Sequence, residues 1–282
     1  MAKANKRKPR FLFLKLLLLI ILVLAALVFD SSFRIDVSEY SLEYENLPSA
    51  FDGYRIAVLS DFHAAEFGEG NSRLIKAIES TKPDIIVILG DFIDADGQMD
   101  IARTLLRGIH DIAPVYYITG NHEWDSGAIK DLFALLKDEG VTVLRNNYVL
   151  LERGGESIVL AGVDDPNGPA DMISPYDFIQ KIRSEEGGKF LIALNHRNHL
   201  LDFYASLGVN LVLSGHAHGG IVRLPFTDGL VGPHRELFPN YTNGVYAEGL
   251  TKMLVSRGVG GRVGVPRFLN NPHIPVAVLK KA

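Results

Sequence analysis

Short apolar runs alternate with amphipathic segments along most of the chain. The apolar runs, rich in β-branched and aliphatic residues, predict strands at Arg55–Ser60, Asp84–Leu89, Pro114–Thr119, Val141–Leu144, Ser157–Val163, Lys189–Leu194 and Asn210–Ser214. Apolar positions at helical spacing predict helices at Ser72–Thr81, Met99–His110, Ser126–Gly140 and Pro175–Glu186. After Gly220 the pattern indicates short strands punctuated by glycine and proline, without a helix. This alternation of strand and helix indicates an α/β fold with functional loops at the carboxyl ends of its strands.

The N-terminal region has a different pattern. Residues 11–29 form an apolar run that only Lys15 interrupts, and residues 1–15 hold six basic side chains and no acidic one. An apolar helix of about 20 residues just spans a bilayer core, and a basic flank stays in the cytoplasm. We therefore predict a cytoplasmic flank at residues 1–10 and a transmembrane anchor or uncleaved signal at 11–29, with a cleaved signal peptide as the alternative. Residues 30–48 are expected to form a linker and the first strand, and residues 49–282 the domain that carries function.

Composition narrows the classes of function. The chain has 282 residues, is 47% hydrophobic, contains no cysteine and carries a formal charge of -4. Beyond residue 15 there are 23 basic and 33 acidic side chains, a formal charge of -10. Such an acidic domain argues against nucleic acid as a partner, because binding to the phosphate backbone depends on lysine and arginine. The lack of cysteine excludes disulfides, zinc–thiolate sites and thiol nucleophiles.

Five short polar stretches supply aspartate, asparagine and histidine, and each follows an apolar run or lies beside glycine. They are Asp61-Phe62-His63, Gly90-Asp91, Gly120-Asn121-His122-Glu123, Asn195-His196 and Gly215-His216-Ala217-His218. Imidazole combined with carboxylate or amide oxygens suits Mn, Zn or Fe. Two such ions held close together can clamp the attacking and leaving oxygens of a phosphoryl displacement. The stretches therefore indicate a metal-dependent phosphoesterase with two divalent metal ions.

Spacing within these stretches suggests how the ions are shared. Asp61 and His63 are two residues apart, as are His216 and His218, and on an extended strand such pairs point to one face. A residue that bridges two metals needs more than one acceptor oxygen, which Asp91 has and a histidine lacks. We expect each of the two carboxylate oxygens of Asp91 to face one metal.

Taken in order, the motifs D-x-H, G-D, G-N-H-E, H and G-H-x-H resemble those of the calcineurin-like metallophosphoesterase superfamily. The segments 51–56, 161–166 and 256–258 are similar to its YkuE/YaeI-like branch of bacterial membrane-associated phosphodiesterases. The resemblance covers about residues 34–282. It departs at the fourth motif, which commonly reads S/A-H-x-P and here reads Asn195-His196-Arg197-Asn198. His199, three residues after His196, is therefore a second candidate ligand.

The resemblance implies a fold and a set of roles. The fold is a four-layer α-β-β-α sandwich of two mixed sheets, where periodicity alone predicts a simple parallel sheet. The implied ligands are Asp61, His63 and His218 for one metal and Asn121, His196 and His216 for the other, with Asp91 between them. A hydroxide that bridges the metals would attack phosphorus in line. The imidazole of His122 would contact the phosphate and stabilise the transition state or protonate the leaving oxygen.

Several other residues have both a functional and an ordinary interpretation. Trp124 could line a substrate cleft, together with Phe62, Phe67 and Phe92, or these rings could pack beneath the loops. Arg257 could bind a phosphate group with two hydrogen bonds or could form a structural salt bridge. Aspartates next to turn sequences are interpreted first as turn formers. They are Asp94, Asp96, Asp164 and Asp165.

These observations predict a single-pass protein of the cell (inner) membrane with an extracytoplasmic domain that hydrolyses phosphodiester or pyrophosphate bonds. Lipid-linked phosphoesters are among the expected substrates, because an anchor keeps the site near the bilayer. Two alternatives stay open. One is a pyrophosphatase that acts on UDP-2,3-diacylglucosamine at the inner face, and the other is a metal-binding scaffold without catalysis.

Overall fold

The computed structural model describes residues 8–224, 228–232, 235–261 and 266–282. The predicted basic flank at residues 1–10 lies outside them, except for the backbone of 8–10. Helix α1 (Lys8–Phe33) includes a 23-residue segment, Phe11–Phe33, that is long and apolar enough to cross a membrane, and its most apolar window is not buried against the protein. The helix continues past residue 29 into the range predicted as linker and first strand, so that only Arg34 and Ile35 separate α1 from β1.

Two six-stranded mixed sheets form the rest of the structure. The strands are β1 (Asp36–Tyr44), β2 (Arg55–Leu59), β3 (Ile85–Leu89), β4 (Val115–Ile118), β5 (Thr142–Val143), β6 (Asn147–Arg153), β7 (Glu156–Val163), β8 (Leu191–Asn195), β9 (Leu211–Ser214), β10 (Gly244–Glu248), β11 (Thr251–Val255) and β12 (His273–Lys281). The first sheet has the order β1-β12-β2-β3-β4-β5, with β12 antiparallel to β2. The second has the order β10-β11-β9-β8-β7-β6, with β6 and β10 antiparallel to their neighbours.

In the described part of the chain, six helices occupy the connections between strands, and all but the short α4 and α7 lie where the apolar spacing predicts them. They are α2 (Ser72–Ser80), α3 (Met99–Ile109), α4 (Asn121–Asp125), α5 (Ile129–Asp138), α6 (Pro175–Glu186) and α7 (Leu201–Ser206). Helix α5 lies within the range predicted as Ser126–Gly140, and Gly127, where φ is +74°, separates it from the short helix α4. Glycine adopts this left-handed conformation without the steric cost that other residues meet.

The core has three apolar clusters, and they define four layers. On β2, Ile56 and Val58 pack between the sheets, whereas Ala57 and Leu59 pack against α2, α3 and α5. The second sheet behaves the same way, because Leu194 of β8 faces the first sheet and Ala193 faces α6 and α7. The α-β-β-α sandwich is thus confirmed, and the simple parallel sheet is wrong. Strands buried on both faces read as continuous apolar runs, which do not reveal how many sheets they form.

Candidate metal centre

The predicted ligands follow the carboxyl ends of five strands. Asp61 follows β2, Asp91 follows β3, Asn121 follows β4, His196 follows β8 and His216 follows β9. The first three strands are parallel neighbours in one sheet, and the last two are parallel neighbours in the other. Packing of the two sheets brings these ends together at one edge of the sandwich. We call this edge the metal-centre edge.

Carboxylate oxygens and imidazole nitrogens converge there in three groups whose ligand atoms lie within 4.8 Å of one another. The groups are Asp61–His63–Asp91–His218, Asp91–His196–His216 and His63–Asp94–His122. The first two groups share Asp91 and together contain every predicted ligand except Asn121. Both also combine residues from the two sheets, so that neither exists without the packed sandwich.

Distances between imidazole nitrogens match those expected around a metal ion. Nε2 of His63 lies 3.3 Å from Nε2 of His218, and Nε2 of His196 lies 3.1 Å from Nδ1 of His216. Two nitrogens that bind one tetrahedral ion at about 2.0–2.1 Å are themselves about 3.3 Å apart. Each histidine pair is therefore spaced to bind one ion.

Asp91 faces both groups, although not in the way that the sequence predicts. Its Oδ2 lies 3.2 Å from Nε2 of His196 and 3.9 Å from Nε2 of His63. Its Oδ1 instead accepts a hydrogen bond from the backbone N–H of His122, at 2.9 Å. The expectation that each oxygen faces one metal is thus wrong, because the peptide group of His122 occupies one of them. A single oxygen with two lone pairs is directed toward both groups.

Asn121 provides a test of whether a metal fits this donor set. Its Oδ1 is buried and has no hydrogen-bond partner in the described residues. A buried polar atom without a partner is costly, and such atoms commonly mark an ion or water that completes the site. The amide oxygen is a suitable ligand for Mn or Fe, and imidazole suits Zn as well. The donor set therefore fits divalent metal ions.

The backbone at the site is held in a rare conformation. Five of the seven predicted ligands have positive φ: Asp61 (50°), His63 (47°), Asp91 (49°), His216 (65°) and His218 (46°). Left-handed backbone is uncommon for residues other than glycine and costs on the order of 1–3 kcal/mol at each position. Such strain is characteristic of functional sites, where the surrounding fold maintains it.

The protonation of the histidines depends on their surroundings. Burial lowers the pKa of His218 to about 3 and also lowers that of His216, so both are neutral near pH 7, the state in which an imidazole binds a metal. Burial also lowers the pKa of His196, but the charge of Asp91 outweighs it and raises the value to about 10. A metal ion beside Asp91 would take the place of the proton on His196, since a ligating imidazole must be deprotonated.

His122 lies beside the two groups and is more accessible than any ligand histidine, with 45% of its side chain exposed. Its Nε2 is 4.0 Å from Oδ2 of Asp91, and its Nδ1 is 2.8 Å from Oδ1 of Asp94. The same oxygen of Asp94 lies 2.7 Å from Nδ1 of His63. The hydrogen bond to Asp94 raises the pKa of His122 to about 9.

Asp94 is thus more than the turn former that the sequence suggests. It orients His122 and one predicted ligand through a single carboxylate. The signal that points to it is its place three residues after Asp91, in the loop that also carries the shared carboxylate. Partners of this kind fix the orientation and tautomer of a metal-binding imidazole.

Glu123, the last residue of the G-N-H-E motif, is fully buried and connects two ligand loops. Its carboxylate accepts hydrogen bonds from the backbone N–H groups of Asp91 (3.0 Å), Phe92 (2.5 Å) and Gly120 (2.7 Å). Those residues belong to the loops after β3 and β4. Glu123 therefore maintains the left-handed turn at Asp91 and the position of the neighbouring Asn121.

An arginine that sequence reasoning did not single out also borders the site. Arg197 forms two hydrogen bonds with Asp165, at 2.6 and 2.9 Å, and its Nη1 lies 3.2 Å from Nε2 of His216. Asp165 thus has a specific partner in addition to its place in a turn. His199, the second candidate for the fourth motif, is exposed and belongs to none of the three groups found in the described residues.

The aromatic residues near the motifs mostly pack beneath the loops. Phe62, Phe67 and Phe92 are buried in the core, and the rings of Phe62 and Phe92 are 5.1 Å apart. Of the two alternatives, these three rings therefore adopt packing beneath the loops and do not line a cleft. Trp124 is half-buried, with the guanidinium of Arg145 5.0 Å from the centre of its ring.

Arg257 adopts the structural alternative. Its Nη2 is 3.0 Å from the carboxylate of Asp36, and its Nη1 is 3.3 Å from the side chain of Asn243. The guanidinium is mostly buried, and burial lowers its pKa. Contacts with Asp36 join the start of β1 to the loop after β11, so this arginine stabilises the sandwich near the site.

Comparison with known proteins supports this interpretation of the site. The family model for calcineurin-like phosphoesterases matches residues 54–220, which include all seven predicted ligands. An uncharacterized metallophosphoesterase of Bacillus subtilis, YkuE, is 32% identical over 252 residues, covering 87% of this chain and 86% of that protein. Another, from Aquifex aeolicus, is 30% identical over 257 residues, covering 86% and 91%.

Two further comparisons concern the membrane and the fold. A zebrafish (Danio rerio) transmembrane protein with a metallophosphoesterase domain is 27% identical, covering 87% of this chain and 57% of that protein. Together with the apolar helix α1, this likeness indicates membrane association. The solved structure of Haemophilus influenzae NAD nucleotidase superposes with a TM-score of 0.51 at 14% identity, covering 73% of this chain and 45% of that one. That likeness concerns the fold alone.

Proposed function

The chain belongs to the calcineurin-like phosphoesterase family, and we propose that it is a membrane-anchored hydrolase that uses two divalent metal ions to cleave phosphodiester or pyrophosphate bonds. The observation that carries the proposal is the single carboxylate oxygen of Asp91 directed toward two separate groups of ligands. Two ions bound there would make a nucleophilic water available near neutral pH and offset the negative charge of a phosphate.

The chain's own residues divide between the two ions. Asp61, His63 and His218 would bind one, Asn121, His196 and His216 the other, and Asp91 both. The oxygen and imidazole donors fit Mn, Zn or Fe and exclude none of the three. The left-handed turns and the buried Glu123 hold these side chains in place, so that the site requires little rearrangement on binding.

We assign His122 a role in the chemical step. Its imidazole is tethered at Nδ1 by Asp94, which leaves Nε2 free to face a substrate above Asp91. The proton on Nε2 would be donated to a phosphate oxygen or to the leaving oxygen of the ester. Because the hydrogen bond to Asp94 raises the pKa of His122 to about 9, its imidazole holds this proton near pH 7 and is available as an acid.

The His122→Ala variant tests this assignment. We expect kcat for an aryl phosphodiester to fall roughly 10²–10⁴-fold, the usual effect of a positioned acid or base, while two metals per chain remain bound. The matched control is His110→Ala, which removes an exposed histidine whose Nδ1 contacts the backbone oxygen of Glu139. Loss of metal from His122→Ala would contradict the assignment. An unaltered protein that binds two metals but is inert on aryl phosphodiesters would favour the scaffold without catalysis.

The proposed substrate is a phosphodiester or pyrophosphate at the outer face of the cell membrane, and lipid-linked esters are included. Its support is helix α1, which would keep the site within reach of the bilayer, and the basic residues that precede it. External protease added to intact spheroplasts should digest residues 30–282. If the domain is protected, the outer-face location is wrong, and hydrolysis of UDP-2,3-diacylglucosamine at the inner face becomes the better proposal.

A further inference from the structure

Strand directions place the end of α1 at the metal-centre edge. Asp61 follows the carboxyl end of β2, so β2 ends at this edge. Because β12 runs antiparallel to β2 and β1 runs parallel to β12, both β12 and β1 begin there. The first residue of β1 is Asp36, and α1 ends three residues earlier at Phe33. The apolar helix therefore leaves the domain on the side where the metal ligands converge.

Hydrogen bonds join the end of α1 to a ligand loop. The side-chain amide of Asn271 donates to the backbone oxygen of Asp30, in the last turn of α1, at 2.9 Å. The side-chain amide of the preceding Asn270 donates to the backbone oxygens of His218 (2.8 Å) and Ile221 (3.0 Å). Two consecutive asparagines thus connect the end of the helix to the loop that carries a predicted metal ligand.

Additional contacts join the end of α1 to the domain. Arg34 pairs with Asp30 at 2.8 Å and with Asp36 at 2.6 Å, across the two-residue connection. Arg73 donates to the backbone oxygen of Phe33 at 2.6 Å. Two residues of extended chain span at most about 7 Å, so the start of β1 must stay close to the end of α1.

The connection between β9 and β10 lies at the same edge. β11 runs parallel to β9, and β10 runs antiparallel to β11, so the chain leaves β9 and enters β10 at the metal-centre edge. In this connection Leu237 and Phe238 have exposed fractions of 71% and 69%. Outside α1, no other two consecutive large apolar residues are exposed in the described parts of the chain.

We propose that the metal-centre edge rests on the bilayer and that Leu237 and Phe238 insert into the leaflet from which α1 emerges. The 23 residues of Phe11–Phe33 extend about 34 Å as a helix, against about 30 Å for the hydrocarbon core, so Phe33 emerges at headgroup level. The N–H of Phe238 donates to the backbone oxygen of Leu230 (3.0 Å), and the N–H of Leu230 donates to that of Gly220 (3.2 Å), two residues after His218. The exposed pair is thus tied to the edge from which α1 leaves the domain. The lipid bilayer is therefore the partner that this position favours. The inference rests on anchoring by α1, as in the proposed function, but not on catalysis.

Single-cysteine labelling tests this surface directly. The chain has no cysteine, so Phe238→Cys creates the only thiol, which can bear an environment-sensitive fluorophore. The full chain would be placed in nanodiscs that hold one chain each, with and without brominated phosphatidylcholine. Leu19→Cys, within α1, reports insertion of the helix. Leu250→Cys is the matched control, because Leu250 is 89% exposed in the β10–β11 turn, at the opposite edge of the sheet.

We expect brominated lipid to quench the labels at 19 and 238 at least twofold and to leave the label at 250 unchanged. If 19 is quenched while 238 behaves like 250, the inference is overturned and the proposed anchoring stands. If 19 is not quenched, both anchoring and the inference fail. A label at 238 that shifts to shorter wavelength without quenching would mean contact with protein and would also overturn the inference. Hydrolysis of a soluble aryl phosphodiester, measured on the same samples, reports catalysis separately.

Discussion

Replacement of Asp91 by asparagine tests the two-metal proposal at the one residue that both groups of ligands share. In the structure Oδ1 accepts the N–H of His122 while Oδ2 faces both groups of ligands. Asparagine has one acceptor for these two tasks. If its oxygen keeps the bond to His122, an NH₂ group faces the metals, and if it faces the metals, the N–H of His122 meets another donor.

The variant also removes the only charge that both sites share. Stabilisation of transition-state charge by a metal ion is worth several kcal/mol, so loss of about 3–4 kcal/mol should lower kcat roughly 10²–10³-fold. Inductively coupled plasma mass spectrometry of the purified variant should detect at most one metal ion per chain. The matched control is Asp84→Asn, the same change just before β3, where the carboxylate accepts the N–H of Arg55 instead. Two tightly bound metals together with near-normal turnover in Asp91→Asn would refute the reasoning.

Two further variants test the residues that orient the site. The carboxylate of Glu123 accepts three backbone N–H groups, and Glu123→Gln replaces one of its two oxygens with an NH₂ donor. We therefore expect the free energy of unfolding in urea to fall by about 2 kcal/mol and metal binding to weaken. Unchanged stability would show that the carboxylate is dispensable. Asp94→Asn should lower kcat about 10–100-fold, because it weakens the hold on His122 and His63. Equal rates for Asp94→Asn and the unaltered protein would rule out that positioning role.

Much of the fold could be predicted because helical spacing and buried strands leave distinct patterns. Helix α6 occupies the predicted range, Pro175–Glu186, because Ser174 and Pro175 mark its start and apolar residues repeat along one face. Strand β6 was not predicted, since as an edge strand it is largely exposed and lacks a continuous apolar run. The nine-residue β12 follows a stretch rich in glycine and proline, and its interior place between β1 and β2 depends on pairing with strands far away in sequence.

The site divides in a similar way between local and tertiary information. Ligand residue types at short spacing were visible in the sequence, and the structure brings the aspartates and histidines of the implied ligand set, but not His199, into two groups. The partner of Asp94 was not visible, because His122 lies 28 residues further along and meets it only after β3 and β4 pair. Arg197 and Asp165 are likewise brought together by the pairing of β7 with β8.

Both ligand groups draw residues from the two sheets, so a bound ion acts as a cross-link across the sandwich. Sheet docking and metal affinity are then parts of one equilibrium. When the free metal concentration is about 100 times the dissociation constant, binding adds about 2.7 kcal/mol to the stability of the docked form. Conversely, a substitution between the sheets, such as one at Leu194, would weaken metal binding without touching a ligand. Substitutions far from the active site would therefore change the concentration of free metal at which the protein becomes fully loaded.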